Sequence, residues 1–273
     1  MMYQKTITNT YNENDKNIDL ESGENTSPIT QISLNTGLFN YIKGIYFFTG
    51  IGWSTLLVIA EIMSFTINKN NINLLFWIYL LIGFGLTILT IFISIIPSDV
   101  IILEDGNKKE IIPWWKIISY ELFSFSIGLM ISPVIFIINQ QNIIIFPICI
   151  IITNFIFCTM SIFTWTRKDM DGLKLYVPLI TCISGLIILG FIEIILACLG
   201  FDKIVCILSF GTSIISIIVF SGLIYVDTLK AIESYNESGL NTIKCSIEIV
   251  LDLVNILLDL IRIISCLLEN LDN

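Results

Sequence analysis

Residues 245–268 read CSIEIVLDLVNILLDLIRIISCLL, an Ile/Leu/Val run that carries Glu248, Asp252, Asn255, Asp259 and Arg262 at spacings of four, three, four and three. At a helical advance of about 100° per residue these five side chains fall within about 80° of one face, and the rest of the helix is apolar. Such a stripe has to face protein. A charge near mid-bilayer costs about 2.5–3.5 kcal/mol, whereas each Leu, Ile or Val returns only about 0.3–0.6 kcal/mol, so the four ionisable groups cancel most of the apolar gain. The segment is therefore expected at the centre of a bundle, with the other spans supplying partners for its stripe. The alternative is an amphipathic helix lying in the membrane surface, but such helices carry a wide face rich in Lys and Arg, and this one is narrow and mostly acidic.

Working outward, the 273 residues are 55% hydrophobic and 14% charged, with a mean hydropathy of +0.86, the composition of a polytopic membrane protein. Residues 1–38 are polar, rich in Asn, Thr, Ser and Glu, and are expected to be a disordered cytosolic tail without the apolar core of a cleaved signal peptide. Residues 39–273 then hold seven apolar runs, at about 41–65, 74–96, 114–138, 143–165, 176–199, 204–227 and 245–268. Each is long enough for a hydrocarbon core of about 30 Å, which takes about 20 helical residues. The expected fold is an all-α membrane protein, a seven-transmembrane helix bundle with the last helix central. Pro97 to Pro113 reads as a charged connection, Lys230 to Lys244 as a polar loop, and TRKDMDGL at 166–173 as a charged turn.

With the tail inside, the cytosolic segments hold all but Lys69, Lys203 and Arg262 of the 14 Lys and Arg residues. That asymmetry places the N-terminus in the cytosol and, with seven spans, the C-terminus on the far side. A re-entrant last segment would instead return the C-terminus to the cytosol. With the tail inside, the sequons at Asn25 and Asn236 are both expected to be cytosolic and unused.

The net charge of −9 and the absence of His argue against nucleic-acid binding and against His-based catalysis or metal ligation. Cys149, Cys158, Cys182, Cys198, Cys206, Cys245 and Cys266 lie within or at the edges of apolar spans, with no CxxC, and read as small buried hydrophobes rather than a disulfide framework or zinc site. No phosphate-binding Gly loop, Ser/His/Asp set or HExxH motif is present, so the chain is not read as an enzyme.

The sixth span reaches the cytosolic side near Asp227, and the last helix starts from that same side with Asp252 about 10 Å further in at 1.5 Å per residue. Two carboxylates meeting in a low-dielectric site resist ionising together, so they titrate as a unit that holds a proton or binds a cation. The competing reading makes Asp227 a solvated helix-end residue and gives Asp252 a backbone hydrogen bond. Glu61, Glu121 and Glu193 either line the same interior or are solvated near span ends.

FSGLIYVDT (220–228) followed by LDLVNILLDLIRII (251–264) resembles the paired C-terminal signature of the Bax inhibitor-1 family, with Tyr225, Asp227 and Thr228 at the end of the sixth span and Asp252, Asn255 and Arg262 on the seventh. The turn at 166–173 resembles the family's Lys/Asp turn, and the chain from about residue 41 fits its seven-span order. The resemblance implies six helices enclosing the last, a calcium leak across an endoplasmic reticulum or Golgi membrane, and protection against cell death. It assigns Asp227 and Asp252 to the family's di-aspartyl pH sensor, in contact with calcium as the permeant ion and with no other cofactor. Partners would be the lipid bilayer, calcium and membrane proteins that regulate cell death. Two departures stand out: the second span lacks the acid and Arg of bacterial relatives, and Glu248 and Asp259 make this stripe more acidic than the pattern. The expected function is thus a pH-sensitive cation leak. Its rival is a membrane-embedded interaction protein that suppresses cell death by binding partners, and a proton-coupled transporter is disfavoured because no inverted repeat is evident.

Overall fold

The computed structural model describes residues 28–67, 72–96, 98–103, 108–166, 172–237 and 239–271. Among these the chain forms α1 (Pro28–Ser64), α2 (Ile72–Ile95), a two-stranded hairpin of β1 (Asp99–Ile102) and β2 (Lys108–Ile111), then α3 (Trp114–Gln141), α4 (Ile145–Thr166), α5 (Gly172–Cys198), α6 (Asp202–Glu237) and α7 (Thr242–Leu271). The first six helices are long and apolar enough to cross a membrane. α7 is one unbroken helix of 30 residues, about 45 Å at 1.5 Å per residue, so its length suffices and only its acidic stripe sets it apart.

α7 is the centre of the bundle. It packs against α1, α2, α3, α4 and α6, whereas α5 leans on α6 at the outside. From Cys245 to Ile261 no α7 residue is exposed, and Ile249, Leu253, Ile256 and Leu257 form one cluster with Ile42, Ile45 and Leu56 of α1, Phe123 and Ile135 of α3, Cys149 of α4 and Ile224 of α6. The surface-lying alternative is thereby excluded. Large apolar side chains such as Leu81, Phe92, Ile188 and Phe191 are exposed on α2 and α5, as expected where the neighbours are lipid tails.

Close helix approach rests on small residues, the usual device where lipid removes the hydrophobic drive between spans. A Cβ placed on Gly128 of α3 would meet the Leu56 carbonyl oxygen of α1 at 2.7 Å and Ile59 Cβ at 2.9 Å. Gly128→Ala is therefore expected to push α1 and α3 apart and cost about 1–3 kcal/mol, read as a lower thermal midpoint in detergent. Gly50→Ala, where a Cβ meets nothing within 4 Å, leaves that midpoint in place. Within α3, Pro133 has no N–H for the Leu129 carbonyl, and the neighbouring Ser132 hydroxyl donates to that oxygen instead at 2.8 Å.

Four expectations need correction. First, Lys230 to Lys244 is not a loop, because α6 continues to Glu237. Ala231 and Tyr235 of this extension are buried, and the Tyr235 ring lies 5.8 Å from that of Tyr41, so packing holds a polar sequence helical until Gly239, whose N–H donates to the Ser234 carbonyl. Second, the connection between α2 and α3 folds into the antiparallel hairpin, with Asp99 opposite Ile111 and Ile102 opposite Lys108. Its β-branched Val100, Ile101, Ile102 and Ile111 suit a strand despite the charges between them. Third, only some cysteines are buried: Cys149 is, Cys206, Cys245 and Cys266 are half-buried, and Cys158, Cys182 and Cys198 are exposed on the apolar outer surface. Fourth, α1 starts at Pro28, ahead of the expected start near Tyr41. Residues 1–27, Lys69 and most of the 166–173 turn lie outside the described residues.

Candidate functional site

The N-terminus of α7 is fixed by groups from three elements. Asn241 caps it, its Oδ1 accepting from the Lys244 N–H at 3.2 Å. Glu110 of β2 accepts from the Thr242 N–H at 2.9 Å and from the Thr242 hydroxyl at 2.6 Å, placing a carboxylate where a helix presents unpaired N–H groups. Lys116 of α3, fully buried, donates to Ser98 Oγ at 2.7 Å and to Asn241 Oδ1 at 3.5 Å. Lys108 of β2 donates to the Tyr235 carbonyl at 2.8 Å. The hairpin thus clamps the α6–α7 junction, which fixes the register of the two helices behind it.

Behind that clamp the stripe divides into two groups. In the inner group Asp227 of α6 and Asp252 of α7 lie within hydrogen-bonding reach of one another, with 7% and 5% of their surfaces exposed. Asp227 sits well inside α6, ten residues before its end at Glu237, so it is no solvated helix-end residue. Asp252 Oδ2 is buried and accepts no hydrogen bond. Lys230, three residues along α6, places Nζ 3.1 Å from Asp227 Oδ1 and 3.5 Å from the centre of the Tyr176 ring of α5. Glu248, one turn toward the clamp, is half-buried with Lys244 Nζ at 3.8 Å. Two buried carboxylates and one ammonium thus meet between α6 and α7. Tyr225 turns elsewhere, its ring 5.3 Å from Phe163 of α4, and Thr228 accepts from the Tyr46 hydroxyl at 3.4 Å.

The outer group lies about 10 Å further along α7 at 1.5 Å per residue, past half-buried Asn255. Here Asp259 and Arg262, with Glu193 of α5 and Thr212 and Ser216 of α6, line a cavity of about 400 Å³. The Thr212 hydroxyl donates to Glu193 Oε1 at 2.7 Å, Arg262 approaches Glu193 Oε2 at 3.8 Å, and Asp259 is set against the Ser216 hydroxyl. Glu193 therefore joins the stripe, as one of its two readings had it. Glu61 and Glu121 do not: they sit at the α1–α3 interface, Glu121 accepting from Thr55 at 3.1 Å and Glu61 from Asn139 at 3.5 Å.

Two features of the site are not expected from the sequence. Lys230 falls in the expected loop, although its i,i+3 spacing from Asp227 is the ordinary signal for an ion pair on one helix. The other is a row of hydroxyls on α6, Ser209, Thr212, Ser213 and Ser216, all buried. Their spacing of three and four is visible in the sequence, but inside an apolar run Ser and Thr satisfy themselves on their own backbone and carry little signal.

What the inner group offers a cation is limited. Among the described residues no set of three or more His, Cys, Asp or Glu side chains converges as a metal site. Two carboxylates fall short of the roughly six to eight oxygens that calcium takes, so water would have to complete its shell. The arrangement suits an ion in passage or a shared proton.

The comparisons with known proteins agree with this architecture. A family model described as "Inhibitor of apoptosis-promoting Bax1" matches residues 38–269, most of the chain. No curated protein and no solved structure matches it. With the match running from the start of the first span to the end of the central helix, the chain belongs to the Bax inhibitor-1 family of anti-apoptotic multi-pass membrane proteins.

Proposed function

We propose that this protein is a pH-sensitive cation leak, with calcium as the permeant ion, in an endoplasmic reticulum or Golgi membrane, and that the leak is the means by which it suppresses cell death. The observation that carries the reading is the meeting of Asp227 and Asp252, from two different helices, in the buried middle of the bundle beside Lys230. One ammonium balances one carboxylate, so the second is neutral only if it holds a proton. Proton loss or gain at the pair thus changes the charge between α6 and α7 and biases how closely they pack. The acids and hydroxyls further along α7 and α6 supply oxygen ligands toward the far side. Glu248 and Asp259, additional to the family pattern, favour cations over anions along that line.

The test is reconstitution of the purified protein alone into liposomes that enclose a calcium indicator. Calcium should pass with no added partner, and its rate should depend on pH. Absence of flux in correctly inserted protein would instead favour the reading as an interaction protein that acts through partner binding, with the acids serving the fold. Orientation has its own test. A cysteine added before residue 38 is expected to react with an impermeant maleimide from the cytosolic side and one added after Leu271 from the opposite side. Labelling of both from the cytosol would mean that the last segment re-enters, with the N-terminus still cytosolic, and labelling of the first from the opposite side would overturn the orientation.

A further inference from the structure

We infer that Cys206 and Cys266 form an intramolecular disulfide that joins α6 to α7 on the non-cytosolic side of the membrane. Cys206 lies four residues after the start of α6, and Cys266 five residues before the end of α7. The two helices run antiparallel through the bundle, so these positions meet at the end opposite the clamp. Cys206 Sγ lies 3.1 Å from Cys266 Sγ, and Cys266 Sγ lies 3.9 Å from the Cys206 carbonyl. A disulfide bond measures about 2.05 Å, so about 1 Å of approach separates the two sulfurs from bonding, within what rotation of two side chains near helix ends supplies. Both residues are half-buried rather than sealed, and Lys203, one turn before Cys206, is exposed, which places the pair near the membrane boundary where a soluble oxidant has access. Cys245 is placed differently, facing the Tyr41 hydroxyl at 3.9 Å.

The inference rests on the proposed orientation, which sets this end in the lumen or outside the cell, where disulfides form and persist. The oxidant is an external disulfide, such as oxidised glutathione or the cysteine pair of a thiol oxidase. The Cys206 thiolate attacks one of its sulfurs, forming a mixed disulfide and releasing the other sulfur as a thiolate. The Cys266 thiolate then attacks the Cys206 sulfur, forming the Cys206–Cys266 bond and releasing the second external thiolate. Two electrons pass to the external disulfide, and the two thiol protons end on its two released thiols. The product ties down the last turns of α7, one turn beyond Arg262, and so fixes one wall of the outer cavity.

The test uses the full chain. Membranes are treated with N-ethylmaleimide before detergent is added, and the purified protein is digested and analysed by mass with and without reduction. A linked 206–266 peptide pair, lighter by two hydrogen atoms than the sum of its reduced parts, is expected in most chains and is expected to vanish on reduction. In a second arm the purified protein is reduced, exchanged into oxidised glutathione and analysed in the same way. Linkage in this arm but not in native membranes would overturn the inference through the orientation, because the pair would be competent but would face a reducing compartment. No linkage in either arm would overturn the pairing itself and leave the orientation to the maleimide test. Cys206→Ser and Cys266→Ser, examined separately, should each render the remaining partner fully alkylatable and leave Cys245 labelling unchanged. If the linked peptide mass persists in either variant, another pair is responsible and the assignment is wrong.

Discussion

Replacing Asp227 or Asp252 by Asn is expected to move the pH midpoint of calcium flux by about one unit or more, and replacing both is expected to do no more than the larger single change. The reason is that the two carboxyls act as one titrating group: they lie within hydrogen-bonding reach, both more than nine-tenths buried, beside the ammonium of Lys230. An amide at either position removes the partner with which the proton is shared, so the remaining carboxyl titrates in the field of Lys230, Glu248 and Lys244 without its neighbouring acid. Contacting residues in one network typically show interaction energies of about 0.5–3 kcal/mol, and about 1.4 kcal/mol corresponds to one pH unit. Independent sites would instead add. Asp259→Asn is the internal control, because Asp259 sits in the outer cavity about 10 Å further along α7 at 1.5 Å per residue. It is expected to alter flux magnitude while leaving the midpoint nearly unchanged. If both single substitutions of the pair leave flux and its pH profile as they were in correctly inserted protein, the pair is structural and the leak mechanism proposed for it fails.

Tyr120→Ala is expected to be the most destabilising substitution outside α7, at about 3 kcal/mol. The side chain is fully buried in α3, its hydroxyl donates to the Phe48 carbonyl of α1 at 2.7 Å, and its ring occupies the notch left by Gly52, where a Cβ would collide with it. Large-to-small changes at such sites cost about 3–5 kcal/mol in soluble proteins. The lower end applies here, because a chain unfolded within the bilayer keeps its ring in an apolar solvent and only packing is lost. Tyr120→Phe should cost less, about 0.5–1.5 kcal/mol for the hydrogen bond. Both are read as shifts in thermal midpoint in detergent. Equal effects of Phe and Ala would mean that the hydroxyl, not the ring, holds α3 on α1.

The sequence disclosed most of the bundle because the membrane makes its demands in a period that can be counted. The four-three-four-three spacing from Glu248 to Arg262 identified α7 as enclosed, and the enclosure is observed. Loop length and orientation leave a meeting of Asp227 and Asp252 as one of two readings, the resemblance implies their pairing, and in the structure they lie within hydrogen-bonding reach. What was hidden depends on packing between distant segments. The extension of α6 to Glu237 is polar at Glu233, Ser234 and Asn236 and looks like a loop until Tyr235 is seen against Tyr41. The hairpin earns its role through Glu110 and Lys108 reaching residues more than a hundred positions away, which no local pattern encodes. Lys230 has a local signal in its spacing from Asp227, which the polar sequence after it hides by looking like a loop.

The enclosure of α7 also constrains how the protein is made. The six apolar helices precede it in the chain, so the groove that receives the acidic stripe is built before the stripe leaves the ribosome. Until then Ile224, Leu56 and Phe123, which end up in one cluster with α7, line an open trough that lipid or a membrane chaperone has to fill. A ribosome that stops before Thr242 would release a polytopic product with its interior exposed within the bilayer, a clear substrate for membrane quality control. The helix that carries the candidate chemistry is thus also the one whose arrival closes the bundle.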